Sequence, residues 1–403
     1  MCFTLGCPIL ESERRHTLGD MWKGTQMFTV RGTWMRGGTS KCWLFTGVDI
    51  DPLVSSEMTL DDILVAAFGS GDPRQIDGIG GGSSTTSKAA IVRRSALTGV
   101  DVDYLFAQVA IADCRVEWSS NCGNCATAIG LYALQTGMVA VQSPVTRVRM
   151  RNENTGDILT AEIATPGGRI PFDGDATVPG ATAPGVPVVL TFEKPAVAPW
   201  PTGNAVDDLV VDGVTYRATM VQAGAPAVLV DWRSFGLDEG GVLDTARVTA
   251  LMPTLIRIRR AAALRMGLCG PDDPISHATP KVGIVGPAAT FVTPTGEELT
   301  ADDHDVMVRM VSMMAPHPAI GLTSAVAVAV AASRPDSVVA QLSSSTDPSQ
   351  LRIGTAAGVV VAEVTTDSDG CVAGVGLHRA ARRIATAELF VAAAGSAAPA
   401  LVA

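Results

Sequence analysis

Two stretches of this chain, residues 125–134 and 319–332, are apolar on nearly every face that a helix would present. A surface helix needs a polar face, so a helix without one has to be surrounded by protein. Both are too short to span a bilayer. Short apolar segments that read as strands surround each of them. Around the first helix they fall at 28–31, 43–45, 88–92, 104–112, 115–118, 145–151, 158–163 and 188–192. Around the second they fall at 216–221, 227–230, 281–285, 290–292, 351–353, 358–364 and 388–391. More ordinary helical patterns occupy 61–68 and 244–266, the latter interrupted at Pro253. The fold class expected is therefore α/β (α+β): two similar domains, each a set of strands wrapped around one buried helix, with a cleft between them. A length of 403 residues suits two domains. The linker expected is 194–203, which holds Pro195, Pro199 and Pro201. Residues 1–26 read as a tail, and their apolar patch lacks the basic lead of a secretory signal.

Composition narrows the function. Hydrophobic residues make up 47% and charged residues 17%, which supplies a core and argues against disorder. The net charge is −10 and no Lys/Arg run stands out, so neither nucleic acid nor a membrane is an expected partner. An acidic protein that takes an acidic ligand needs a local positive site, to be sought in loops and helix starts. The eight cysteines are scattered, as in a reduced, cytoplasmic protein. Asn121-Cys122-Gly123-Asn124-Cys125 contains a CxxC spacing, but no second pair exists and none of the five histidines is paired at ligand spacing, so structural zinc is a poor fit.

That same segment sits where a strand hands over to the first apolar helix. A helix start offers unpaired N–H groups and a positive dipole end, which favour a carboxylate and lower the pKa of a cysteine. Cys122 is thus a candidate acid or base, the plainer alternative being a small buried cysteine at a cap. Asn121, Gly123 and Asn124 are candidate ligand contacts. Two glycine-rich loops each end in Thr-Ser-Lys, at Thr39-Ser40-Lys41 and Thr86-Ser87-Lys88. Neither has the order of a phosphate-binding Walker loop, and neither fits a dinucleotide fingerprint. They bring backbone N–H groups (Gly37, Gly38, Gly80, Gly81, Gly82), hydroxyls and a lysine together, with Arg36 as a bidentate partner, and such a set suits carboxylates. A lysine in a dry cleft, here Lys88, can serve as a base, although a solvated loop lysine is the commoner fate. His317, Thr323 and Ser324 mark the start of the second apolar helix and join the candidates.

Four ordered motifs carry a resemblance: Met35-Arg36-Gly37-Gly38-Thr39-Ser40-Lys41, Asp72-Pro73-Arg74-Gln75-Ile76-Asp77-Gly78, Gly80-Gly81-Gly82 with Thr86-Ser87-Lys88, and Asn121-Cys122-Gly123-Asn124. Pro201-Thr202-Gly203-Asn204, Pro280-Lys281 and His317-Pro318-Ala319 support them. The chain resembles the PrpF protein family, whose members include 2-methylaconitate cis-trans isomerase, methylitaconate and aconitate Δ-isomerases and 4-oxalomesaconate tautomerase. The resemblance implies a diaminopimelate-epimerase-like fold of two pseudo-symmetric domains, 27–200 and 201–385, with a strand at 386–395 returning to the first. It implies no metal and no organic cofactor, Lys88 and Cys122 as catalytic residues, and a small unsaturated carboxylic acid as substrate. It leaves a homo-oligomer open. Three positions depart from the family: Cys42 where a Gly is usual, Ala225-Pro226 for Asn-Pro, and Thr355-Ala356-Ala357-Gly358 for His-Pro-Ser-Gly. They bear on the substrate more than on the reaction.

The activity expected is proton abstraction next to a carboxylate, then reprotonation that shifts or rotates the double bond. Which of Lys88 and Cys122 is the base stays open. The rivals are an epimerase on the same fold and a non-catalytic carboxylate-binding accessory protein.

Overall fold

A computed structural model describes residues 27–118, 121–194, 198–274 and 279–392. The tail 1–26, residues 119–120 before the first buried helix, the stretch 195–197 of the linker, and 393–395 of the returning strand lie outside the described residues. Among the described residues, no helix is long and apolar enough to cross a membrane.

The first half begins with β1 (Met27–Gly37) and β2 (Ser40–Thr46), joined by a tight turn. Helix α1 (Leu60–Phe68) follows, started by a capping box between Thr59 and Asp62. Then come β3 (Lys88–Arg94), β4 (Val102–Val109), helix α2 (Gly123–Gln135), β5 (Val145–Asn152), β6 (Ile158–Ala164) and β7 (Ala181–Glu193). The second half holds β8 (Asp207–Val211), β9 (Val214–Ala223), β10 (Ala225–Asp231), α3 (Met252–Arg265), β11 (Lys281–Pro287), β12 (Val306–Ser312), α4 (Leu322–Ala332), β13 (Gln350–Thr355), β14 (Gly358–Thr366) and β15 (Val372–Ala392). The break expected at Pro253 is where a short helix, Thr245–Ala250, ends and α3 starts, with proline in the first turn where its missing N–H costs nothing.

The strand ladders explain why α2 needs no polar face. Pairings run β1–β2–β3–β4–β5–β6–β7–β15 and return to β1, closing a ring. Helix α2 fills it, and every residue of the helix except Gln135 is buried. A second curved sheet runs β8–β9–β10–β11–β12–β13–β14–β15 and wraps α4, in which only Ala332 is not buried. Each Leu, Ile or Val side chain buried on these helices contributes about 1.5–3 kcal/mol. Both helices belong to one continuous apolar core.

β15 is the seam. It pairs with β14 from its first residues, with β7 over 374–381, and with β1 along its last half. The strand expected at 388–391 is therefore the end of a 21-residue strand. Its earlier part is rich in Gly, Ala and Arg, which carry weak strand preference, and the pairing on both sides decides the conformation. β8 and β12 were also not expected. Arg309 interrupts the apolar run of β12 and yet is 2% exposed.

Candidate active site

The two buried helices begin side by side. A Cβ added to Gly123 would lie 2.5 Å from Leu322 Cβ and 2.8 Å from Phe192 Cζ, so only glycine lets the starts of α2 and α4 approach this closely. Both open onto one pocket, lined by Asn121, Cys122, Gly123 and Asn124 from one side and by Gly321, Leu322, Thr323 and Ser324 from the other. Neither helix has a side-chain cap, so the first-turn amides remain free for a ligand. Two positive dipole ends therefore point into the same space.

Side chains add to this field. Lys88, at the start of β3, donates from Nζ to Gln108 Oε1 at 2.5 Å and stands 5.1 Å from the centre of the Phe106 ring. Gln108 is fixed in turn by its own N–H donation to Ser87 O at 2.9 Å. Lys281, at the start of β11, reaches the pocket from the other half. Burial, helped by the charges of Lys88 and Arg259, pushes its ammonium down to about 8. The backbone N–H of Ala319 donates to His317 Nδ1 at 3.0 Å, which leaves Nε2 to carry the ring proton. Burial first, and then Lys88 and Lys281, push His317 down to about 4, so it is a neutral donor near pH 7. Asn121 accepts from the Tyr104 hydroxyl at 3.3 Å, while its buried Nδ2 has no partner among the described residues. No Asp or Glu is among the described residues that line the pocket.

Cys122 departs from expectation. It caps α2, where the dipole alone would lower its pKa, but the thiol is pushed well above the ordinary range. A hydrogen bond shared with Cys125 is the largest cause and burial is the second, while Lys88 opposes both. At neutral pH the group is a thiol.

The other predicted site residues divide into three groups. Ser40 lines the pocket with Lys88, Asn121, Cys122, Gly123, Asn124, His317, Thr323 and Ser324. Arg36, Thr39, Lys41 and Thr86 line an adjoining recess instead. Gly37, Gly38, Gly80, Gly81, Gly82 and Ser87 line neither. Gly37 and Gly38 are seats for Asn124, because a Cβ would fall 1.9 Å from Asn124 O and 2.1 Å from Asn124 Oδ1 respectively. Asn124 then donates to Thr39 Oγ1 at 3.1 Å. Gly80 makes room for the Gln75 side chain, whose Oε1 accepts from Gly82 N at 2.9 Å. Ser87 is fully buried, accepting from Gln75 Nε2 at 2.8 Å and donating to Val109 O at 3.0 Å. The glycine loop is thus a scaffold closed on an inserted glutamine. Sequence reasoning also missed Ser84, Thr85, Gln108, Lys281 and the end of β12. Only Pro280-Lys281 had left a signal.

The profile of the PrpF protein family matches residues 27–392. The chain belongs to the PrpF family. It is 34% identical to the 2-methyl-aconitate isomerase of Shewanella oneidensis, over 82% of this chain and 88% of that one. It is 32% identical to the 3-methylitaconate isomerase of Eubacterium barkeri, over 89% and 96%. Identity to the (4E)-oxalomesaconate Delta-isomerase of Novosphingobium sp. (strain KA1) is 34%, over 89% and 96%. The solved structure of a methylitaconate-delta-isomerase superposes with a TM-score of 0.75 at 30% identity, covering 93% of this chain and 100% of that one. A hydroxyproline epimerase from Agrobacterium vitis, 12% identical, shares the fold with a TM-score of 0.52 over 90% of this chain and 92% of its own. This PrpF protein is an isomerase with the diaminopimelate-epimerase-like fold.

Proposed function

We propose that this PrpF protein moves a proton on a small unsaturated di- or tricarboxylic acid of the aconitate, methylaconitate or methylitaconate type. The observation that carries the reading is the convergence of two uncapped helix starts and two lysines on a pocket with no carboxylate among the described residues of its lining. Such a site suits a polyanion, and its titratable groups suit proton transfer. The three curated relatives named above all take unsaturated acids in their names.

In this reading the amine form of Lys88, oriented by Gln108, removes a proton from the carbon next to a carboxylate. The C–H electron pair enters a dienolate whose charge spreads onto that carboxylate. Lys281, Asn121 Nδ2, His317 Nε2 and the first-turn amides of α2 and α4 hold the charge in place before the reaction, so little reorganisation is needed. The Cys122 thiol delivers a proton to the allylic carbon and becomes a thiolate. Transfer of the proton from the Lys88 ammonium to that thiolate restores both groups. A shuttle of this kind contributes about 10²–10⁴-fold in rate. The base is Lys88 rather than Cys122 because the thiol is held protonated. A two-cysteine racemase is disfavoured: among the described residues, the second half lines the pocket with His317 and Lys281 and with no cysteine.

The test is proton NMR in D₂O with cis-aconitate, trans-aconitate, methylitaconate and 4-oxalomesaconate in parallel. Deuterium entry with a new alkene signal is expected for at least one acid, and its loss in Lys88→Ala with unchanged circular dichroism. Full exchange by Lys88→Ala would remove the lysine from the reaction. No exchange by the wild type with any acid would remove the proposal.

A further inference from the structure

The catalytic pocket holds about 60 Å³, which is small beside the roughly 300–1,000 Å³ of ordinary ligand pockets. It is not isolated. Ser40 and Thr85 also line a second, more open recess of about 290 Å³. Three cations face that recess, Arg36, Lys41 and Arg382, and no acid is among the described residues that line it.

The cations are brought together by the strand register. Arg36 on β1 lies directly opposite Arg382 on β15. Like charges in that relation destabilise a ladder, so the fold gains nothing from the pair. Arg36 is tied down: it donates to Gly38 O at 2.9 Å and to Ala183 O at 2.9 Å, and its buried Nε has no partner among the described residues. Burial and the charge of Arg382 both push its pKa down, as expected for a cation that lacks a counter-ion. Lys41 rests 4.4 Å from the centre of the Trp34 ring. None of the three forms an ion pair among the described residues. The chain as a whole carries −10, so a local cluster of unpaired cations runs against the overall sign of the protein. A one-signed recess against low-dielectric walls focuses the opposite field and raises on-rates by about 10–10³.

We propose that this recess is a cationic vestibule that captures polycarboxylates outside the catalytic pocket and passes them in between Ser40 and Thr85. The inference rests on the carboxylate-isomerase reading and adds a site to it. Arg382 is the position to test because it is exposed and holds no part of the scaffold.

Steady-state kinetics of wild type, Arg382→Glu and Arg169→Glu would be measured from low to high salt. Arg169→Glu is the control: an exposed arginine that lines neither pocket, with the same change in net charge. In Arg382→Glu, kcat/KM falls about tenfold at roughly 10 mM ionic strength and about twofold at roughly 0.5 M, with kcat unchanged. Arg169→Glu stays near wild type. Binding of the saturated analogue tricarballylate, measured by calorimetry, weakens in the same order. Equal kcat/KM and salt slopes in wild type and Arg382→Glu, or equal losses in both variants, would overturn the vestibule and leave the isomerase reading standing. A wild type that neither turns over the acids nor binds tricarballylate would overturn both.

Discussion

Replacing Lys281 with Met separates what the residue costs the fold from what it gives the site. Burial lowers its pKa from the ordinary 10.5 to about 8. A lowered pKa on a base means that the folded state binds fewer protons than the unfolded state between those values, so stability rises with pH across that window. Below pH 8 the full cost is present. At about 1.4 kcal/mol per pH unit it amounts to about 3 kcal/mol at pH 7, falling to about 1 kcal/mol at pH 10. Methionine has similar length and no charge to desolvate. The variant should therefore be more stable than wild type by up to about 3 kcal/mol at pH 7, and the gap should shrink to about 1 kcal/mol by pH 10. Its activity should move the other way. A charge-assisted hydrogen bond to a carboxylate contributes about 1.5–3 kcal/mol, so kcat/KM should fall about 10- to 150-fold. Thermal melting at pH 7, 8.5 and 10 gives the first quantity, and deuterium exchange into the best substrate gives the second. Lysines that do not interact with Lys281 cancel in the difference between variant and wild type. A variant less stable at pH 7, or a gap that does not change with pH, would refute the account of Lys281 as an ammonium held at a cost to the fold.

Two further outcomes follow from the same geometry. Gly123→Ala places a methyl 2.5 Å from Leu322 Cβ, so it should lower stability by about 1–3 kcal/mol and force the two helix starts apart. Melting and turnover should both suffer, and a neutral result would mean that the close approach is not needed. Alkylation by iodoacetamide at pH 7 should modify the exposed Cys114 and Cys371 well before Cys122, whose rate should still be rising past about pH 9. Peptide mass spectrometry reads the order, and rapid loss of Cys122 at pH 7 would contradict its raised pKa.

What the sequence made legible was the part decided by local physics. Apolarity on all sides marked both buried helices. The handover from strand to helix expected within residues 121–125 falls at Gly123. The start of α4 was placed at 319 and falls at Leu322. What was not legible depends on partners distant in sequence. Lys281 follows a proline at a strand start and looks like any surface lysine. It meets Lys88 only because β11 runs parallel to β10 and carries that end of the strand to the pocket. β12 was missed because Arg309 interrupts its apolar run, and the structure buries that arginine with a donation to Thr245 Oγ1 at 2.9 Å. The glycines near Gly80 were read as a ligand cradle. Glycine serves close approach of any group, and here the group is the side chain of Gln75.

The pocket sets its proton chemistry by moving two groups in opposite senses. The Cys122 thiol is pushed up and the Lys281 ammonium down. Neutral pH lies below both, so one starts as a proton donor and the other as a cation. A bound polycarboxylate reinforces each assignment. Its negative charge makes the thiol harder to ionise and the ammonium harder to deprotonate. The substrate thus reinforces the state of the two groups that face it. The close approach at Gly123 matters for the same reason. With the two helix starts adjacent, the carboxylate that takes up the dienolate charge can meet free amides from both halves at once, in the space that Lys88 and Cys122 also line.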